Sequence, residues 1–392
     1  VTATPDGTDG TGTPETPGTP GTPAAAGGGV LGAIRNASTR TKAIAGAAAA
    51  LVVIGVPVGV IAAGSGGDGK SAASSSPAPL PTTSTTATTP TPTPTPTTTA
   101  PPPVAATDPL NGGKPSSNPV FAVKVADTVE ARPQVNIDKA DIVYVEQVEG
   151  GLTRLAAVFH STIPSQVEPV RSVRPQDMDL LQQYGPIGFV ASGGNSKALR
   201  AVRASKFAVS MEDFGSSGFH RDGNRSAPYN VVANLTKMKK GSKAKSIGWT
   251  FNAAGSGAAG ATKATAIHTR VGGTPVDFEY FAATQRWVRT YHGSPDRTST
   301  GVAISAQNVI VQFCDGYADG GNRDAAGNPV WYTITKGTGK VAVFRDGQRI
   351  DGTWSRAKYA DGTSLRDAQG HPIALKPGRT WVLLVTKGTA LS

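Results

Sequence analysis

The segment ADIVYVEQVEGGLTRLAAVFHS, Ala140–Ser161, holds two runs of β-branched and aromatic residues separated by Glu149-Gly150-Gly151. That is the pattern of two strands joined by a tight turn. Loop parity decides which side chains meet across it. A two-residue turn sets Glu146 opposite an odd-numbered residue, leaving Glu146 and Arg154 on different faces. A three-residue loop with Gly151 left-handed pairs Val148 with Leu152 and Glu146 with Arg154. We expect the second, which turns two isolated charges into a cross-strand ion pair beside Tyr144.

Working outward, NPVFAVKVAD predicts a strand near Val120–Val125 upstream of the hairpin. Downstream, PQDMDLLQQYG predicts a short helix, with Pro175 in its first turn, Asp177 at its positive end and Gly185 stopping it. IGFVA reads as a strand, and SGGNSKALRAVRASK as a glycine loop opening a helix capped by Asn195 or Ser196. Strand and helix in alternation imply an α/β domain over residues 107–250. A low-complexity linker follows over 251–261. Beyond it AIHTRV, VDFEYF, QRWVRTY, NVIVQFC, VWYTIT, KVAVF and TWVLLVT read as strands, with turns at Asp346-Gly347 and Pro377-Gly378. The expected fold is therefore an α/β amino-terminal domain plus a smaller β-rich domain over 262–392.

Residues 1–42 open with a Thr/Pro/Gly/Ala tract that cannot bury enough apolar surface to fold. AIAGAAAALVVIGVPVGVIAAG, residues 43–64, is a 22-residue run without a charge, and about 20 apolar residues span a bilayer. Arg35, Arg40 and Lys42 precede it, so the positive-inside rule places the tail in the cytoplasm and the bulk of the chain outside. A cleaved signal peptide is the alternative; the long flank and the length of the run favour an uncleaved anchor. No cysteine stands directly after the run, which excludes a lipid-bearing one there. Residues 65–106 are a Ser/Thr/Pro-rich stalk, extended and polyproline-like.

The net charge is +11, and the whole excess falls in residues 107–392. Outside a cell such a domain meets anionic wall polymers or lipid headgroups rather than nucleic acid. No interleaving of aromatic and basic residues of a nucleic-acid groove is visible. Cys314, the single cysteine, stands in VIVQFCDG and reads as a buried strand end. The five histidines never fall at close ligand spacing, so neither a metal nor a cofactor is expected. GSGAAG, Gly255–Gly260, has the glycines of a dinucleotide fingerprint but lacks the preceding strand and following helix that the motif needs.

Two groups of residues carry chemistry. The turn Ser192-Gly193-Gly194-Asn195-Ser196 leads into a helix, where exposed amides can hold an anion; a plain βα turn with a good cap is the alternative. Arg132, Arg154, Arg171, Arg174, Arg221 and Arg225 sit at strand ends or in loops, near Glu146, Glu149, Asp177, Asp179, Glu212 and Asp213. The guanidinium fork suits bidentate pairing with carboxylate or phosphate. Ion pairs pinning loops account for several of these arginines, and surplus ones would line a cleft for an anionic ligand. Paired carboxylates such as Glu146 or Glu149 would in principle serve glycan hydrolysis.

From Asp108 onward the chain resembles the YerB-like bacterial lipoproteins, catalogued as a domain of unknown function in amino- and carboxy-terminal parts. The resemblance rests on DPLNGG, ARPQVNIDKADIVYVEQVEGGLTRLAAVF, EPVRSVRPQDMDL and FHRDGNRSAPYN in the first part. In the second it rests on NVIVQF, GTGKVAVFRDGQRIDGTW and PGRTWVLLV. It implies a two-part envelope protein with no established activity. It also implies characteristic polar positions at Arg132, Glu146, Glu149, Arg154, Arg171, Arg174, Asp213, Arg221 and Arg225. Two departures stand out: Ala191-Ser192 replaces a histidine-alanine pair, and Tyr229 stands where a histidine is usual. A mechanism through those histidines does not carry over, and a membrane anchor with a stalk replaces the lipid-bearing cysteine. The expectation is an anchored extracytoplasmic protein, its being an enzyme left uncertain and leaning to no, that binds an anionic wall polymer or an envelope protein through its arginine-rich face. An envelope glycan hydrolase using Glu146 or Glu149 is the alternative.

Overall fold

The computed structural model describes residues 107–324 and 326–392. The tail over 1–42, the apolar run 43–64 and the stalk 65–106 lie outside the described residues. Among the described residues no helix is long and apolar enough to cross a membrane.

The predicted hairpin is present. β1 (Phe121–Ala126), β2 (Ile142–Gln147) and β3 (Thr153–Phe159) pair antiparallel, with β3 between the other two. α1 (Pro175–Leu181) begins at its proline as expected, and a 3-10 turn carries the chain on to Gly185, whose φ of +82° ends it. β4 (Gly188–Ala191) lies parallel to β1. α2 (Ser196–Ala204) is capped by Asn195, whose side-chain oxygen accepts from the Ala198 amide at 2.8 Å. β5 (Ala208–Met211) pairs parallel with β4, and β6 (Phe219–Arg221) with β7 (Val231–Ala233) makes a separate ribbon.

The carboxy-terminal part supplies β8 (Thr262–Lys263), β9 (Ala266–Val271), β10 (Thr274–Phe281), β11 (Arg286–Tyr291), β12 (Ser294–Pro295) and β13 (Ser305–Ala306). It continues with β14 (Asn308–Arg323), β15 (Pro329–Ile334), β16 (Gly337–Arg345), β17 (Gln348–Arg356), β18 (Ser364–Asp367) and β19 (Thr380–Thr386). β9 to β13 make a small five-stranded sheet.

The fold class expected from the sequence needs correction. Strands of both parts share one 12-stranded sheet, ordered β18-β17-β16-β14-β19-β2-β3-β1-β4-β5, with β15 on β14 and β8 on β17. The molecule is mostly β-sheet, and its α-helices are only the seven-residue α1 and the nine-residue α2 among the described residues. β19 makes the join, lying parallel to β2 on one edge and to β14 on the other. The physical reason is two-sided burial. A strand as apolar as TWVLLVT must be covered on both faces and both edges, and reads as a near-continuous apolar run. The strand–helix alternation upstream is local and does not repeat into a parallel α/β sheet.

Alternation along these strands sorts side chains between two cores. Ala122, Tyr144, Ala156, Val382 and Leu384 pack on one face with Met178, Leu181 and Ala198 of the helices. Val123, Val143, Leu155, Trp381 and Leu383 pack on the other against Ile267, Phe278 and Trp287 of the small sheet. Glu146 and Arg154 are on the helix face, sharing it by period two with Tyr144 and Ala156.

Candidate functional site

The three-residue loop sets the register of the hairpin. Glu146 is opposite Arg154, and the Val148 amide donates to the Leu152 carbonyl at 2.8 Å. Gly150 and Gly151 have φ of +63° and +74°, the left-handed region that glycine enters without a Cβ penalty. The predicted ion pair between Glu146 and Arg154 does not form. Glu146 Oε2 instead accepts from Lys124 Nζ at 2.9 Å, and the same ammonium reaches Asp177 Oδ1 at 2.7 Å, all three side chains fully buried. Lys124 stands opposite Ala156, itself opposite Tyr144, so that alanine leaves the lysine stem room to cross β3.

Burial, reinforced by the Asp177 charge, pushes the Glu146 carboxyl up to about 8 against the pull of Lys124. Asp177 Oδ2 also accepts the Arg174 amide at 2.6 Å, closing the first turn of α1 from within. The helix end is thereby satisfied. Arg174 then grips Glu149 through two guanidinium nitrogens, Nε and Nη2.

Arg154 and Arg171 are left over. Arg154 Nη1 approaches no carboxylate closer than Glu149 Oε2 at 3.7 Å, beyond hydrogen-bond reach. Arg154 Nη1 and Arg171 Nε are buried nitrogens without a hydrogen-bond partner. Among the described residues neither guanidinium donates a hydrogen bond at all. Burial, with Arg174 and Arg171 beside it, draws the Arg154 pKa down to about 9; burial also lowers that of Arg171. The Arg171 guanidinium lies over the Tyr229 ring at 5.2 Å. Formally, Lys124, Arg154, Arg171 and Arg174 face Glu146, Glu149 and Asp177, leaving a positive charge uncompensated in a place that water reaches poorly.

These two arginines line a niche of about 50 Å³, walled also by Asp127, Thr128, Leu152, Thr153 and Tyr229. The same five residues border a groove of about 710 Å³ that runs out past Arg132, Pro275, Tyr291 and His292. Glu146 and Glu149 border neither space.

The groove wall is held by a second charged knot. Asp127 receives Arg289 through both carboxylate oxygens at 2.8 and 2.9 Å, Arg132 Nη2 at 2.9 Å and Thr153 Oγ1 at 2.8 Å. Burial disfavours its charge, yet Arg289 and Arg132 overcome that and hold its pKa below the ordinary carboxylate value. Arg132 also meets Asp296 at 3.1 Å and covers the Tyr291 ring at 4.4 Å.

Of the residues singled out from the sequence, Glu146, Glu149, Arg154, Arg171 and Arg174 come together, and Arg132 joins them along the groove. Asp213, Arg221 and Arg225 do not. Asp213 accepts the Gly193 amide at 2.6 Å. Arg221 pairs with Glu212 at 2.7 Å and is half exposed. Arg225 donates to the carbonyls of Ala131 and Pro133 and faces Glu168. The Ser192–Ser196 turn runs beside Arg171 and Val173, where the Ser192 amide donates to the Arg171 carbonyl at 3.1 Å. With Gly193 donating to Asp213 and Asn195 capping α2, its polar groups serve the fold.

Sequence reasoning passed over Lys124, Asp127 and Arg289. A signal was present for two of them: Lys124 interrupts FAVKVA on a strand with all six positions buried, and Arg289 is one of the four buried central positions of RWVRTY. A charge at a buried strand position requires a buried partner.

Residues 107–249 match the family described as "Protein of unknown function (DUF3048) N-terminal domain", and residues 266–382 match its C-terminal domain. YerB of Bacillus subtilis (strain 168), provisionally named a lipoprotein, is 29% identical over 279 residues, spanning 67% of this chain and 80% of YerB. A crystal structure of Bacillus subtilis YerB shares the fold with a TM-score of 0.62 at 22% identity, over 74% of this chain and all of that one.

Proposed function

The chain belongs to the DUF3048 family, and from that premise we propose an extracytoplasmic, envelope-associated protein that holds an anionic ligand against Arg154 and Arg171. Relation to YerB, named as a lipoprotein, supports the address; the apolar run 43–64 would be this chain's own anchor. The observation that carries the binding reading is a pair of partly buried arginines, each with one buried guanidinium nitrogen lacking a hydrogen-bond partner, in a niche that shares five lining residues with an open groove. Leaving such donors unsatisfied costs about 1–3 kcal/mol each, more for charged groups, and an arriving anion recovers that. The hydrolase reading has weaker support, because Glu146 and Glu149 are buried behind the groove wall rather than bordering it.

The test is titration calorimetry of the full chain against teichoic-acid-like polymer, acidic glycan and small carboxylates at low and high salt. Arg154→Gln and Arg171→Gln are expected to weaken anion binding and flatten its salt dependence while the chain stays folded. Unchanged binding by both variants would overturn the proposal.

A further inference from the structure

We infer that the niche takes the terminal carboxylate of a peptide whose last residue is apolar, with the preceding residues lying in the groove. This rests on the anion-binding reading above and narrows it to one ligand class. Size is the first argument. A niche of about 50 Å³ has room for only a few waters at the roughly 10–15 Å³ each needs, the size of one small acid group. A run of charges along a polymer does not fit there, whereas a chain end does. Donor geometry is the second. Arg154 Nη1 and Arg171 Nε, one free N–H from each guanidinium, suit the two oxygens of a carboxylate.

The rim supplies the third argument. Leu152, which walls both niche and groove, is 52% exposed, and Val129 beside it is 59% exposed. Large aliphatic side chains standing free at the mouth of a charged niche match a ligand that is anionic at its tip and apolar just behind it. The two tyrosines of the groove argue against a sugar ring. Arg171 lies over the Tyr229 ring, and Arg132 covers Tyr291, which His292 also meets edge-on at 4.2 Å. One face of each ring is thus occupied by an arginine, while Leu152, Val129 and Pro275 remain for aliphatic contact. Glu130, Thr274, Asp277 and Thr290 give the groove polar groups that a backbone uses and an acyl chain does not. Its volume of about 710 Å³ lies within the roughly 300–1,000 Å³ that holds a compact ligand.

The experiment uses the full chain and a fluorescein-labelled tetrapeptide ending in leucine with a free carboxylate. Its comparators are the same peptide amidated, the same peptide ending in aspartate, inorganic phosphate, a fatty acid and an acidic glycan. The free acid is expected to bind at least about tenfold more tightly than the amide, the loss expected for one charge-assisted hydrogen bond. Arg171→Gln should reduce the acid to the level of the amide. Leu152→Ser should weaken the leucine-ended peptide more than the aspartate-ended one. Equal binding of acid and amide, or preference for phosphate, glycan or fatty acid, overturns the peptide inference but leaves an anion site. Loss of every anion effect, with Arg154→Gln and Arg171→Gln silent throughout, overturns the site itself.

Discussion

Glu146 is held without a route to water, between a lysine that favours its charge and an aspartate that opposes it. Its pKa is raised from the ordinary 4.5 to about 8. The folded state therefore favours the protonated acid. The stability this contributes is present in full below pH 4.5 and is lost as pH rises through about 8. Glutamine keeps the shape of the neutral acid, so Glu146→Gln should remove that decline. Urea midpoints measured across this pH range should fall for the native chain and fall less for the variant. Parallel curves would mean that the carboxyl is ionised throughout. His160 titrates in the same sense, its pKa raised by Asp108 in spite of burial, and its contribution is lost above 6.5. It is common to both proteins and cancels in the comparison. At this scale the sequence was half legible. Parity placed Glu146 opposite Arg154, but the short side chain of Ala156 handed Glu146 to a lysine one strand further on, a choice that no property of the hairpin encodes.

The hairpin loop is clamped as well as bent. Gly151 accepts the Gly273 amide at 2.8 Å, tying the loop to the turn between β9 and β10. A Cβ on Gly151 would approach the Gly273 nitrogen to 3.0 Å, whereas on Gly150 it would meet only Asn328 at 3.8 Å. Gly150→Ala should therefore lose about 1–2 kcal/mol for its left-handed backbone alone, and Gly151→Val more than that. Equal losses in urea unfolding would show that the clamp gives way freely. Elements with local punctuation were legible. Pro175 starts α1, Asn195 caps α2, and Asp346-Gly347, with φ of +51° and +70°, turns β16 into β17. β17 itself was not, because QRIDGTWSR alternates polar residues around Gly352 and becomes a strand only through β16 and β18.

Pairing between the two parts left no local trace. Thr380 to Leu383 of β19 run parallel to Ile142 to Val145 of β2, so the informative residues are far apart in sequence. Strand–helix alternation was the only evidence near at hand, and it pointed to a separate α/β domain. With β19 absent, β2 and β14 each present a free apolar edge, the usual template for aggregation. A chain ended after residue 376 should bind a hydrophobic dye and elute as aggregates, while the full chain unfolds in one cooperative transition. A soluble, monomeric truncated chain with native urea resistance would show that the amino-terminal part stands alone.

The central place of β19 also fixes a timetable. Translation adds about 5–20 residues per second, so on the order of 10–50 s separate synthesis of Ile142 from that of Thr380. For that interval the β19 neighbour of β2 does not exist. A sheet with such a high contact order closes slowly, and only after β19 has been made. The incomplete sheet needs shielding for that time, and a message truncated upstream of residue 380 is expected to give an aggregating product.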